Sequence, residues 1–264
     1  MDTKTFLRKV HKRIFERGLG KLFYQEQKDF LNDKGLMKYV VRYINQKITE
    51  SGHSAPWVYT KQECLDFWRS IDNKHSSTGN RPEAYAKKAA DIIGFLHNFW
   101  SPQVKYDDSI LELGCNCGSN LHWLHKMGYK NLSGMEINPE AVEQAYISFP
   151  GMKGAVNISL GSIEELLPKM PSKSVDAIFT MGVSMHIHPS DNFLFREMRR
   201  VARKHICTME PESANSNYVF ARNYRRVFRR LGCHQLKSSM ITKEAFPKVN
   251  YEGCVARLFL SAGE

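Results

Sequence analysis

The sequence predicts an α/β fold: a seven-stranded sheet with helices on both faces, its last two strands an antiparallel pair, preceded by an N-terminal helical cap. Three observations carry this. From Ser109 onward, short apolar runs alternate with segments of helical pattern. Ile110-Leu111-Glu112-Leu113 runs into the glycine-containing turn Gly114-Cys115-Asn116-Cys117-Gly118, and helical sequence follows. The final two apolar runs succeed one another without a helix of comparable length between them.

The elements follow in order. Residues 1 to about 50 read as helical, with Leu7, Val10 and Ile14 at helical spacing among Arg8, Lys9, Lys12, Arg13 and Arg17. Gly18 and Gly20 interrupt this segment, and a second helical stretch runs from about Tyr24 to Ile48. Residues 51–56 break the pattern. Thr60 and Glu63 fit a capping box, which starts a helix carrying Cys64, Phe67 and Trp68. After a break at residues 76–80, Pro82 suits the first turn of a helix reaching about Trp100.

Strands are expected at Ser109–Leu113, Leu132–Ile137, Val156–Leu160, Val175–Met181 and His205–Met209. Helices fit between them at Asn120–Met127, Pro139–Phe149, Ile163–Leu167 and about Ser190–Ala202. Asn138-Pro139 and Ser162-Ile163-Glu164-Glu165 are helix starts. A long helix over about Ser216–Leu231 and strands at His234–Ile241 and Val255–Ser261 complete the chain.

The 264 residues suffice for one large domain with a helical extension, divided here into residues 1–80 and 81–264. Hydrophobic residues at 42% and charged residues at 25% give an ordinary globular balance. There is no apolar run of transmembrane length and no secretory signal pattern, so a cytoplasmic chain is expected. The six cysteines lack zinc-type pairing and read as reduced thiols, and no metal site is expected.

The net charge is +11 and uneven. Residues 1–50 hold twelve Lys/Arg against six Asp/Glu, and residues 196–230 hold ten against three. Such a surface either attracts nucleic acid, anionic lipid or a phosphorylated substrate, or is simply solvated. Arg222, Arg226 and Arg229/Arg230 share one face of the expected helix, which either grips a phosphate or faces water. The basic N-terminal helix either packs as a cap or makes peripheral membrane contact.

Glu136 ends the second apolar run, 22 positions after Gly114. That layout binds the adenosine end of a cofactor. A dinucleotide site wants G-x-G-x-x-G, and the three positions here hold Gly114, Asn116 and Ser119. Another pattern, an acid followed by x-G-x-G-x-G, is matched by Glu112, Gly114 and Gly118. Asn116 takes the middle position, and asparagine tolerates positive φ. Gly114 and Gly118 let backbone approach the ligand. Glu112 can hold the cofactor's ammonium, and Glu136, with Ile137 beside it, the ribose hydroxyls.

Residues 81–264 thereby resemble S-adenosylmethionine-dependent class I methyltransferases, whose Rossmann-like sheet has seven strands with the last pair antiparallel. The resemblance implies S-adenosylmethionine as cofactor. It also places Ser162 and Ile163 beside the adenine, Met181 and Gly182 under the methionine portion, and Arg81, Tyr85 and Asn120 in the cofactor site. The strings Glu112-Leu113-Gly114-x-Asn116-x-Gly118-x-Asn120-Leu121 and Met185-His186-Ile187-x-Pro189 resemble methyltransferases of bacterial surface-glycan pathways, including the pseudaminic-acid-associated group.

Residues after the fourth and fifth strands face the methyl group in such enzymes. Here they include His186, His188 and Glu210, with His186 the first choice for general base. Trp57, Phe67 and Trp68 either line an acceptor pocket under the cap or belong to a core. The leading expectation is O-methylation of a carbohydrate or polysaccharide precursor, a small-molecule or glycan acceptor, phosphorylated or nucleotide-linked. RNA or protein methylation is the alternative, though no RNA-binding module is recognisable. A non-catalytic cofactor-binding partner subunit is the third reading.

Overall fold

A computed structural model describes residues 36–54, 58–75, 79–87, 91–213, 216–242 and 253–261, without the side chains of 36–42 and 91. The helix expected at the extreme N-terminus, with its basic residues, lies outside the described residues, as does Trp57. The chain enters with α1 (Leu36–Glu50), α2 (Lys61–Arg69), α3 (Pro82–Ala86) and α4 (Asp91–Trp100). Then β1 (Ser109–Leu113), α5 (Ser119–Lys126), β2 (Asn131–Glu136), α6 (Pro139–Ser148), β3 (Val156–Leu160) and α7 (Ile163–Leu166) alternate. They are followed by β4 (Val175–Met181), α8 (Phe193–Val201), β5 (Ala202–Pro211), α9 (Tyr224–Arg230), β6 (His234–Met240) and β7 (Cys254–Leu260).

The seven strands form one sheet in the order β3-β2-β1-β4-β5-β7-β6. The first five pair in parallel, and β7 runs antiparallel to both β5 and β6. The order reverses between β1 and β4, which opens a crevice at their carboxyl ends, the usual ligand position in such sheets. Strand alternation sends Ile110 and Glu112 to one face and Leu111 and Leu113 to the other. Ile110 and Phe179 pack there with Leu96 and Trp100 of α4 and Leu121 of α5. On the opposite face Leu111, Leu113 and Ile178 pack with Leu194, Phe195 and Met198 of α8 and Phe228 of α9.

Local chemistry sets many boundaries. Thr60 and Glu63 form the expected capping box at α2, and Ser162 and Glu165 form another at α7. The Asn138 side chain accepts from the amides of Glu140 and Ala141, with Pro139 in the first turn of α6.

Two expectations need correction. The helix expected from Pro82 to Trp100 is two helices, because α3 packs on α6 while α4 packs on α5. The long helix expected over Ser216–Leu231 is only α9. Asn223 caps it by accepting from the Arg226 amide, and the preceding residues are not helical. Phe220 N–H there donates to Met185 O at 2.8 Å, pinning this stretch to the loop after β4.

All six cysteines are free and buried. No described helix is long and apolar enough to cross a membrane. Phe228 is fully buried between Phe195 and Phe259, at ring-centroid distances of 5.9 and 4.8 Å. Phe228→Ala therefore loses about 3–5 kcal/mol of stability, read as a lower urea midpoint with an unchanged slope.

Candidate functional site

The glycine turn sits at the carboxyl end of β1, tied to β2 by the amides of Gly114 and Cys115, which donate to Met135 O at 2.8 and 3.0 Å. Gly114 and Gly118 have φ of +67° and +68°, and Asn116 has +50°, so asparagine takes the left-handed conformation expected of it. A Cβ on Gly114 would lie 2.7 Å from Val183 Cγ1. Asn116 also does more than tolerate the turn. Its side-chain oxygen accepts from Cys117 N–H at 2.8 Å, and its side-chain amide donates to Asn80 O at 2.9 Å.

Glu136 closes the loop from β2. Its carboxylate accepts from the amides of Asn116 at 2.7 Å and Asn138 at 2.9 Å. Burial pushes its pKa up, and the backbone donors of Asn138, Asn116 and Ile137 oppose that shift. Glu112 is buried on β1 and accepts from the Asn120 side-chain amide at 2.6 Å. Asn120 also lies 3.5 Å from Tyr85 Oη on α3. Glu112, Asn120 and Tyr85 are thus brought together under the glycine turn.

Arg81 stands at the N-cap of α3 and donates to Asn73 O at 3.2 Å. Its Nε is buried with no hydrogen-bond partner among the described residues. Ser162 is buried and used as the cap of α7, while Ile163 packs partly into the core. Met181 ends β4 in the core, and Gly182 follows with φ +66° and nothing within 4 Å of where a Cβ would stand. A cofactor bearing a carboxylate fits these features: an unpartnered buried guanidinium nitrogen, an open space over Gly182, and a buried acid at the end of β2.

The loop after β4 carries the catalytic candidates. His186 Nδ1 lies 2.8 Å from Tyr218 O; a carbonyl only accepts, so Nδ1 carries the proton and Nε2 keeps its lone pair. The imidazole packs on Trp68 at 4.2 Å and stacks with Tyr218 at 5.8 Å between ring centroids. Burial pushes its pKa down to about 4, against the opposing Tyr218 carbonyl. The ring is neutral at pH 7.

His188 is engaged locally, its ring 5.3 Å from Phe220 between centroids. Its Nδ1 caps the turn at Pro189–Asp191, accepting from Ser190 N–H at 3.2 Å. Glu210, at the end of β5, is fully buried. Its carboxylate accepts from the amides of Val183, Ser184 and Met185 at 3.1, 3.0 and 3.3 Å. Burial raises its pKa to about 7, opposed by Thr180 and these three amides. The structure therefore gives Glu210 contacts with the loop backbone.

The arginine face changes character. Arg222 lies before α9, fully buried, and its guanidinium donates to Ile187 O at 2.7 Å and Ser184 O at 3.3 Å. Arg226 binds Glu50 of α1, and Arg230 Nη1 lies 3.3 Å from the same carboxylate. Sequence reasoning missed Arg222 and Tyr218 as neighbours of the site. Asn223, a capping residue inside an apparently continuous helix, is the signal that would have found them. No group of three or more His, Cys, Asp or Glu side chains among the described residues is placed to hold a metal ion.

Residues 111–205 match a family profile described as a methyltransferase domain. No curated protein matches the chain. Solved structures resemble it in fold. A phosphoethanolamine N-methyltransferase 1 from Haemonchus contortus, in complex with phosphoethanolamine and S-adenosylhomocysteine, has TM-score 0.58 and 16% identity, over 78% of this chain and 50% of its own. A SAM-dependent methyltransferase from Leishmania major has TM-score 0.57 and 16% identity, over 75% of this chain and 82% of its own. An S-adenosylmethionine-dependent methyltransferase from Mesorhizobium loti has 0.51 and 12%, over 66% and 99%.

Gly114→Ala places a methyl against Val183 in a strained backbone, so the Kd for S-adenosylmethionine by calorimetry rises about tenfold or more, worth about 1.4 kcal/mol. Adding Val183→Ala removes the clash and recovers part of the loss. Unchanged binding in the single variant would show that this turn does not shape the cofactor site.

Proposed function

We propose that the protein transfers a methyl group from S-adenosylmethionine to a hydroxyl of a carbohydrate or polysaccharide precursor, with His186 as general base. The observation that carries this reading is the 2.8 Å contact of His186 Nδ1 with Tyr218 O, which assigns the proton to Nδ1 and leaves a lone pair at Nε2. Arg81 and Asn120 with Glu112 would hold the methionine end of the cofactor, and Glu136 the ribose. Bound there, S-adenosylmethionine supplies a methyl on a sulfonium centre, open to in-line attack.

The residues do the rest. A base held near pKa 4 does not ionise a hydroxyl in advance; His186 Nε2 takes the proton as the acceptor oxygen forms its new bond. Trp68, Tyr218 and Phe67 lie together beside it, with Phe67 and Tyr218 stacked at 4.7 Å, and aromatic faces of this kind suit a sugar ring. The chain divides, on the same reading, into a cap of residues 1–80 and a catalytic domain of residues 81–264. Support comes from α1 and the segment after it. Gln46 donates to Glu212 O at 2.7 Å, and Tyr59 N–H donates to Asn217 O at 2.8 Å.

His186→Asn should cut kcat by about 10²-fold while S-adenosylmethionine binds as before. Unchanged turnover removes the base. Labelled cofactor offered with nucleotide sugars, glycans and tRNA should mark the sugars. Label confined to RNA would replace the acceptor class, and cofactor binding without any label would make the chain a binding subunit.

A further inference from the structure

We infer that Glu210 and Arg222 are positioning residues, a two-sided clamp on the loop after β4 that sets the place of His186 against Tyr218 O. The inference rests on His186 as the base.

The polar groups of the loop backbone divide by sign. Three N–H groups, of Val183, Ser184 and Met185, point at the Glu210 carboxylate. Two carbonyls, of Ser184 and Ile187, accept from the Arg222 guanidinium. A third carbonyl, of Met185, accepts from Phe220 N–H. His186 stands in the middle of this run, and its ring is fixed at the far side by Tyr218 O. Arg222 is itself braced. It donates to Phe220 O at 3.1 Å and to Asn192 Oδ1 at 3.1 Å, and Asn192 donates to Thr49 O at 2.8 Å.

Neither charge serves stability cheaply. Both residues are fully buried, and each charge is met by groups of the loop backbone instead of by the other. Here the two opposite charges are spent on one short loop, so they specify one arrangement of it. A fixed imidazole matters because displacing a reacting group by about 1 Å costs about 10²-fold in rate.

The groups that face Glu210 are Thr180 from β4, Arg222 before α9, Tyr224 in the first turn of α9 and Cys254 from β7, while Glu212, following β5, acts on Tyr224. Burial pushes the Cys254 thiol up to about 12 and Tyr224 well above its ordinary value, so both stay neutral. Glu212 is bound to Arg257 at 2.6 Å. Burial raises the pKa of Glu210 to about 7. Its anion is the form that accepts three amides, so the clamp is complete above that pH and loosens as pH falls through it.

The test uses the full chain and its S-adenosylmethionine. Glu210→Gln and Arg222→Met should each lower kcat by about 10²-fold, with Arg222→Lys between them and the parent. The Kd for S-adenosylmethionine should stay within about threefold. In the parent, ring-nitrogen NMR shifts of His186 should move with a midpoint near 7 as well as near 4. Glu210→Gln should abolish the step near 7. That parent titration needs no variant to fold. If the shifts move only near 4, or if kcat survives in the clamp variants while His186→Asn is slow, the clamp is overturned. If His186→Asn itself turns over normally, the reading of the base fails instead, whatever the clamp variants do.

Discussion

A carboxylate taken out of water persists only when donors surround it, and three glutamates buried near the carboxyl ends of strands show how that need is met. Glu112 lies one residue before the end of β1 and faces Asn120, Glu136 ends β2 facing the amides of Asn116 and Asn138, and Glu210 lies near the end of β5 facing the loop after β4. Each tethers a loop or helix start that would otherwise be free to move. The crevice where strand order reverses is therefore lined by acids whose partners are mainly uncharged donors. For Glu136 and Glu210 the result is a raised carboxyl pKa, with burial outweighing the hydrogen bonds.

The other end of the same sheet is built on the opposite principle. Asp108 precedes β1 and Asp176 lies at the start of β4, where Lys204 meets both at 2.7 and 3.2 Å and Arg203 meets Asp176 at 2.6 Å. Burial opposes ionisation of Asp176. The amide and hydroxyl of Ser109, with Arg203 and Lys204, outweigh it and hold the carboxyl well below the usual range. Cations fasten this end; amide donors, mostly backbone, fasten the end that holds the candidate site. Part of the +11 charge is engaged in such pairs, and Arg226 and Arg230 are held by Glu50.

What was legible in the sequence is what depends on near neighbours. The strands, the capping boxes at Thr60 and Ser162, the start at Asn138-Pro139 and the positive φ of Asn116 all follow from residues within a turn of each other. The glycine turn and Glu136 are also readable, because a strand, a turn and a strand end lie at fixed spacing. The segment before α9 was not. Its aromatic and arginine spacing is helical, yet Phe220 and Arg222 each find a better partner in the loop after β4, more than thirty residues earlier in the chain. Tertiary hydrogen bonds to a buried guanidinium outweigh a local helical preference.

Arg222 and Arg226 show how much that choice decides. They stand four residues apart and would share a face if the helix were continuous. The N-cap at Asn223 separates them. Arg226 turns outward to Glu50 of α1, and Arg222 turns inward to the carbonyls flanking His186. One therefore joins α1 to α9, and the other joins α9's approach to the loop after β4. Thr49 and Asn192 complete the circuit, since Asn192 accepts from Arg222 and donates to Thr49. Helix α1, the loop with His186 and the segment with Tyr218 thus share one hydrogen-bonded frame, held through Thr49, Asn192 and Arg222.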